Sequence, residues 1–264
     1  EREIPKLMIP IVNLTMEDSF KLTKIVQNQD SQFPYCHTLG HRLSAEEVKK
    51  DISSWEDVIG RCPSGVCSNG CIHGAFQERF RTEYLENNTD QFKAELNSVC
   101  QPRGNWHPSG VEQSACYHAL GHLFLYTTKG SIDKSIQLCK ELAHSEKGED
   151  YTELCFDGIF MQIFYPMEPE DFALVKTITP PANEVDSFCS HFGESENTSC
   201  WIQSWPLQGE GLKKPSELVQ FCSHLEQTQQ NRCFSFMFYI ILIQFNFDLD
   251  HMTEYCKQMP MNQV

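Results

Sequence analysis

Basic residues are scarce in this chain. Twenty-one Lys and Arg stand against 36 Asp and Glu, a formal net charge of −15 over 264 residues. A surface of that sign repels phosphate backbones, which argues against nucleic acid as a partner. Long apolar runs are missing too. The longest, residues 234–247, is shorter than the roughly 20 residues a membrane span needs and is broken by Ser235, Gln244 and Asn246. We expect no transmembrane segment and a buried helix there. Strand signals are sparse, with no long Val/Ile/Thr alternation and no Asn-Gly hairpin flanked by one.

The common catalytic templates are also absent. There is no Gly-x-Ser-x-Gly elbow, no phosphate-binding Gly-x-x-x-x-Gly-Lys-Ser/Thr loop, no dinucleotide fingerprint and no His-Glu-x-x-His. Without Cys-x-x-Cys-His, covalent haem attachment is disfavoured. A hydrophobic content of 40% with 22% charged residues nonetheless describes a folded globular chain.

What the chain has in quantity is cysteine. Thirteen Cys point to an oxidising compartment, where disulfides persist, and so to a secreted or otherwise extracytoplasmic protein. Opening on Glu1 rather than Met fits a processed N-terminus whose signal peptide has gone. The triplets at Asn13, Asn87 and Asn197 are compatible with a glycoprotein.

Cysteine spacing implies pairs. Cys100 and Cys116, and Cys139 and Cys155, are each sixteen apart; Cys189 and Cys200, and Cys222 and Cys233, are each eleven apart. Polar, breaker-rich segments lie between the members of each pair, and apolar stretches follow the second Cys. We expect bridges 100–116, 139–155, 189–200 and 222–233, each tying the end of one helix to the start of the next. Closing such loops stabilises by about 3 kcal/mol each. For the remainder we favour 36–67 and 62–71, with Cys256 free or joined to another chain. The fold class expected is all-α: disulfide-stapled helical-hairpin repeats, an α-solenoid or α/α toroid, in a single domain. Second helices would lead from Cys36, Cys71, Cys116, Cys155, Cys200 and Cys233, and helix caps are read at Asp90, Ser131, Asn183, Ser216 and Asp250. An N-terminal arm and first helix would occupy 1–34, His-containing repeats 35–165, and scaffold repeats 166–264.

Four segments carry the chemistry: Cys36-His37-Thr38-Leu39-Gly40-His41, Cys71-Ile72-His73-Gly74-Ala75-Phe76-Gln77, Cys116-Tyr117-His118-Ala119-Leu120-Gly121-His122 and Cys155-Phe156-Asp157-Gly158-Ile159-Phe160-Met161. A step of four residues is about one helical turn, so His37/His41 and His118/His122 each present two imidazoles on one helix face. If the segments share an inner face, His37, His41, His73, His118 and His122 are expected metal ligands, with Asp157 a ligand or general base and Gln77 and Met161 beside them. Such a donor set suits zinc, copper or iron. Glycine inside a helix costs roughly 1 kcal/mol against alanine; Gly40, Gly74, Gly121 and Gly158 therefore need a reason, and close helix approach supplies one. The outlying His107, His144, His191, His224 and His251 read as surface or capping residues. The acidic stretches 168–171 and 248–250 read as solvated loops. Trp201 and Trp205, at helical spacing, read as core.

The function these readings favour is a metal-dependent enzyme, hydrolytic or oxidative, acting on a small-molecule, glycan or peptide substrate. Alternatives are a non-catalytic helical-repeat module that binds protein or glycan, and a metal carrier. A homo-oligomer is compatible with all three.

Overall fold

The computed structural model of the protein describes residues 14–29, 36–63, 70–80, 95–103, 106–167, 169–245 and 248–259. The fold is all-α and disulfide-containing; extended pairing among these residues is limited to two isolated bridges, Arg103 with Trp106 and His144 with Asp150. Regular stacking of successive hairpins, as in a solenoid, is not shown among the described residues. The chain gathers into two compact units, residues 1–162 with 166–177, and residues 163–165 with 178–264.

In the first unit, α1 (Met16–Gln29) begins where the Thr15 hydroxyl accepts from the Asp18 amide at 3.1 Å, and Glu17 and Asp18 suit the positive end of the helix dipole. The helix α2 (Cys36–Lys50) ends on Lys49 and Lys50, the charge its C-terminus favours. A 3-10 turn, Ile52–Ser54, capped by Asp51, leads into α3 (Trp55–Gly60). Arg61 then ties these pieces together. Its guanidinium reaches Glu17 at 2.6 Å, Glu47 at 3.0 Å and Asp57 at 3.4 Å.

The helix α4 (Gly70–Arg79) is buried along almost its whole length. Next, α5 (Gly110–Thr127) opens with a capping box: Ser109 accepts from the Glu112 amide, and the Glu112 carboxylate accepts from the Ser109 amide at 2.7 Å. This start lies several residues ahead of Cys116, so Cys116 is inside the helix rather than leading it. Cys155, Cys200 and Cys233 are likewise interior to their helices. Helix starts are set by caps, and the sulfur positions are set by which turn faces the neighbouring helix. Ser109→Ala is expected to cost about 1 kcal/mol, read as a small drop in melting temperature with the circular dichroism spectrum kept.

The segment before α5 is less solvated than its polarity implies. Gln101 is buried; its amide donates to the Tyr117 hydroxyl at 2.6 Å and its carbonyl accepts from the Glu146 amide at 3.1 Å. Burial pushes the Tyr117 hydroxyl up to about 12. After α6 (Ile132–Leu142), with Ser131 at its N-cap position, come α7 (Thr152–Phe164) and α8 (Pro169–Val175). Asp171, expected in a solvated loop, is buried and accepts from the Gln162 amide at 2.7 Å. A buried carboxylate needs such a donor, and sequence alone does not reveal it.

The second unit holds α9 (Val185–Cys189), α10 (Glu194–Gln203), a 3-10 stretch (Trp205–Lys213), α11 (Pro215–Ser223), α12 (Gln227–Gln244) and α13 (Leu249–Lys257). Leu218, Phe221, Met237 and Ile241 are among the residues that form its core. Two expected caps move. Pro215 opens α11 one residue before Ser216, and Asp248 rather than Asp250 caps α13, accepting from the amides of Asp250 and His251. Asn183 lies in a 3-10 turn, Ala182–Glu184, ahead of α9. Asp90 lies outside the described residues, as do the triplets' Asn13 and Asn87. Asn197 is described: it is half-buried within α10, not on a loop.

Disulfides join Cys62 to Cys71, Cys100 to Cys116, Cys139 to Cys155, Cys189 to Cys200 and Cys222 to Cys233. Cys36 is also disulfide-bonded, and Cys67, its expected partner, lies outside the described residues. Cys256 is a free thiol.

Candidate metal centre

Glycine brings the helices of the first unit together. A Cβ built on Gly74 of α4 falls 2.5 Å from the carbonyl carbon and Cα of His41 in α2, and nearer still to the His41 oxygen. One on Gly158 of α7 overlaps the His118 carbonyl of α5 in the same way, and also comes within 3.1 Å of Gly121 Cα. Backbone therefore touches backbone at both crossings, which any side chain at these positions would prevent. The two crossings have the same plan: a glycine of the later helix sits against a histidine carbonyl of the earlier one.

This contact carries the imidazoles to one place. His37 and His41 stand with ring centroids 4.6 Å apart, and their Nε2 atoms face each other at 3.0 Å. His73 meets both, at 4.9 and 5.2 Å between centroids. The same ring lies 5.8 Å from His118 and 5.1 Å from His122. His118 and His122 face each other through Nε2 at 3.1 Å. All five histidines singled out in the sequence thus belong to one cluster. Within it, ligand-capable atoms of His37, His41 and His73 all lie within 4.8 Å of one another, a buried triad capable of holding a metal ion.

Four of the five rings are pushed toward the neutral form. Burial drives His41, His73 and His122 well below the usual imidazole value, and neighbouring rings push each further down. For His41 that neighbour is His37; for His122 it is first His118. His118 is lowered by burial too, but the nearby Asp157 charge and a hydrogen bond to the Leu154 backbone act the other way. Neutral imidazole is the form that ligates metal.

Two glutamines attend the rings. Gln77 Oε1 lies 3.1 Å from His41 Nδ1. With the proton on Nδ1, donated to that oxygen, the lone pair of His41 is left on Nε2, the atom that faces His37. Gln162 stands beside His122, and its hydrogen bonding to that ring favours the charged form. His73 Nδ1 is buried without a partner. An orphaned buried nitrogen costs about 1–3 kcal/mol, a cost that a bound cation would remove.

Asp157 is buried and lies within electrostatic reach of His118. Gln162 was not singled out in the sequence, where Met161 held the expected position. The signal was available in the parallel with Gln77, but a four-residue step does not distinguish neighbouring positions on a wide helix face. The outlying histidines lie elsewhere: His144 bonds the Lys140 carbonyl, His191 the Ser187 carbonyl and His251 the Asp248 carboxylate. His224 pairs with Asp186 at 2.9 Å and stacks on Trp201. A cavity of about 240 Å³ lies along Trp201, Phe221 and His224 in the second unit; no residue of the imidazole cluster lines it.

If Gln77 orients His41 for a metal, Gln77→Ala should weaken metal affinity 10–100-fold, as measured by competition with a chromogenic chelator. No protein-family model, curated protein or solved structure matches this chain.

Proposed function

We propose that the protein is a metal-dependent enzyme whose resident ion is held by His37, His41 and His73. The observation that carries this reading is the pair of Nε2 atoms at 3.0 Å, with one ligand-capable atom each of His37, His41 and His73 within 4.8 Å of one another. Metal–imidazole bonds of about 2.0–2.1 Å place two ligand nitrogens of one ion roughly 3 Å apart. Three protein ligands are the number found in catalytic zinc sites, which keep a position open, whereas closed structural sites use four. The cysteines of the described residues near this cluster are oxidised, so the donors are nitrogen and oxygen, and zinc, copper or iron fits them. When bound, such an ion polarises a substrate oxygen or activates water, and a redox-active one would serve oxidation.

The rings ride on helices locked by backbone contact and bridges, with a glutamine orienting one of them. Such a site retains its ion, which favours an enzyme over a carrier. The bridges and the cysteine content support an extracytoplasmic location, and a substrate among small molecules, glycans or peptides goes with that reading. Elemental analysis of the untagged chain from metal-replete medium tests it. At least one transition-metal ion per chain is expected, lost in His37→Ala/His41→Ala. A wild-type protein free of metal would leave only the non-catalytic binding module.

A further inference from the structure

The cavity in the second unit is built on a glycine turn and a set of stacked rings. The 3-10 stretch Trp205–Lys213 turns at Gly209, whose φ of 56° lies in the left-handed region that glycine favours. Gln208 and Gly211, on either side of that turn, line the cavity of about 240 Å³ together with Trp201 of α10 and Phe221 of α11.

One part of the lining is aromatic. The Trp201 ring stacks on His224, with centroids 3.7 Å apart and planes at 18°, and on Phe221, at 5.2 Å and 24°. Its indole N–H donates to the Phe221 carbonyl at 2.8 Å, and His224 is held by Asp186 at 2.9 Å. The one hydrogen-bonding group of Trp201 is therefore taken, and what the ring offers a ligand is carbon surface. Another part is polar: Gln208, Glu217 and Gln220 line the cavity and are exposed residues.

We propose that this cavity binds one neutral sugar ring, packed against the carbon surface of Trp201 and hydrogen-bonded through its hydroxyls to Gln208, Glu217 and Gln220.

Size, polarity and ring geometry each narrow the ligand. The volume falls below the roughly 300–1,000 Å³ of pockets that take drug-sized ligands, so it suits a single ring rather than a peptide segment. Sugar hydroxyls both donate and accept; the two amides do the same, and the carboxylate accepts. The carbon–hydrogen face of a sugar packs on an aromatic surface while its hydroxyls turn to polar groups. An anion would need a cation. No Lys or Arg is among the lining residues, and the imidazole of His224 is engaged by Asp186. A quaternary ammonium would need ring faces turned toward it from several sides, whereas Phe221 and His224 lie nearly parallel to Trp201. The stacked rings are fixed before any ligand arrives, which lowers the cost of binding.

This site does not depend on the metal centre. Ligand-observed NMR titration of the full chain tests it, with the methyl glycosides of glucose, galactose, mannose and N-acetylglucosamine as probes. Tetramethylammonium chloride is the cationic comparison, and circular dichroism checks the fold. At least one glycoside is expected to bind with a Kd of about 1 mM, the strength within reach of a single small ring. Glu217→Ala/Gln220→Ala, which trims two exposed residues, is expected to abolish that binding. Gly211→Leu is expected to obstruct the cavity and keep the fold, because a Cβ at Gly211 meets nothing within 4 Å. Failure of every glycoside to bind overturns the proposal, as does binding of tetramethylammonium in their place. A glycoside bound as tightly by both variants as by wild type overturns the assignment to this cavity.

Discussion

Gly74→Ala will fail to form the first helix crossing. The added methyl has no space to take, because the atoms it meets are the carbonyl and Cα of His41 rather than the end of a flexible side chain. Relief requires α2 and α4 to separate, which opens the core around Ile72, Ala75 and Phe76 and moves His73 away from His37 and His41. Overpacking of this kind costs about 3 kcal/mol or more. In a chain of this size that is on the order of 10 °C in melting temperature. Metal retention should fall with it. Gly158→Ala should act alike at the second crossing. The control is Gly110→Ala, whose Cβ meets nothing within 4 Å and which should melt within a degree or two of wild type. Equal melting temperatures for Gly74→Ala and Gly110→Ala would show that the helices do not touch through their backbones.

Mild acid should unfold the metal-free protein over a window set by the buried imidazoles. In the folded chain His41, His73 and His122 sit well below 6.5, so they remain neutral where the unfolded chain is already taking up protons. Above about pH 6.5 neither state binds those protons and the contribution to stability is complete. Below it the unfolded state gains protons that the folded state does not, so stability falls as pH falls. All three imidazoles act in the same direction, so the loss steepens as pH falls below 6.5. Denaturant midpoints at pH 7.5, 6.5 and 5.5 test this before carboxylates such as Glu17, held low by Arg61, begin to protonate. Bound metal competes with the same protons, so loaded protein should resist acid better than stripped protein. A midpoint unchanged from pH 7.5 to 5.5 would mean that the rings are solvated.

The bridges were readable because disulfide geometry ties helix ends across short polar loops, and equal spacings of sixteen and eleven residues recur along the chain. The five histidines were readable because each carries the same four-residue step or the same relation to cysteine and glycine. What the step does not contain is depth and register. Gln162, which the step does not pick out, stands beside His122, and Asp171, in an acidic run that reads as loop, went into the interior to meet the Gln162 amide. Asp248 took over the capping of α13 from Asp250 because the side chain two residues earlier reaches the free amides.

By itself the amino-acid sequence determined the all-helical class, a staple between successive helices, and which imidazoles share a helix face. Those are local matters: periodicity, capping and loop length act over a few residues to a few turns. Only the tertiary structure decided that His73 would border both histidine pairs and that its Nδ1 would be buried without a partner. That outcome depends on glycines 74 and 158 letting two helix crossings close to backbone contact, and a contact between distant segments is set by the shape of both surfaces at once.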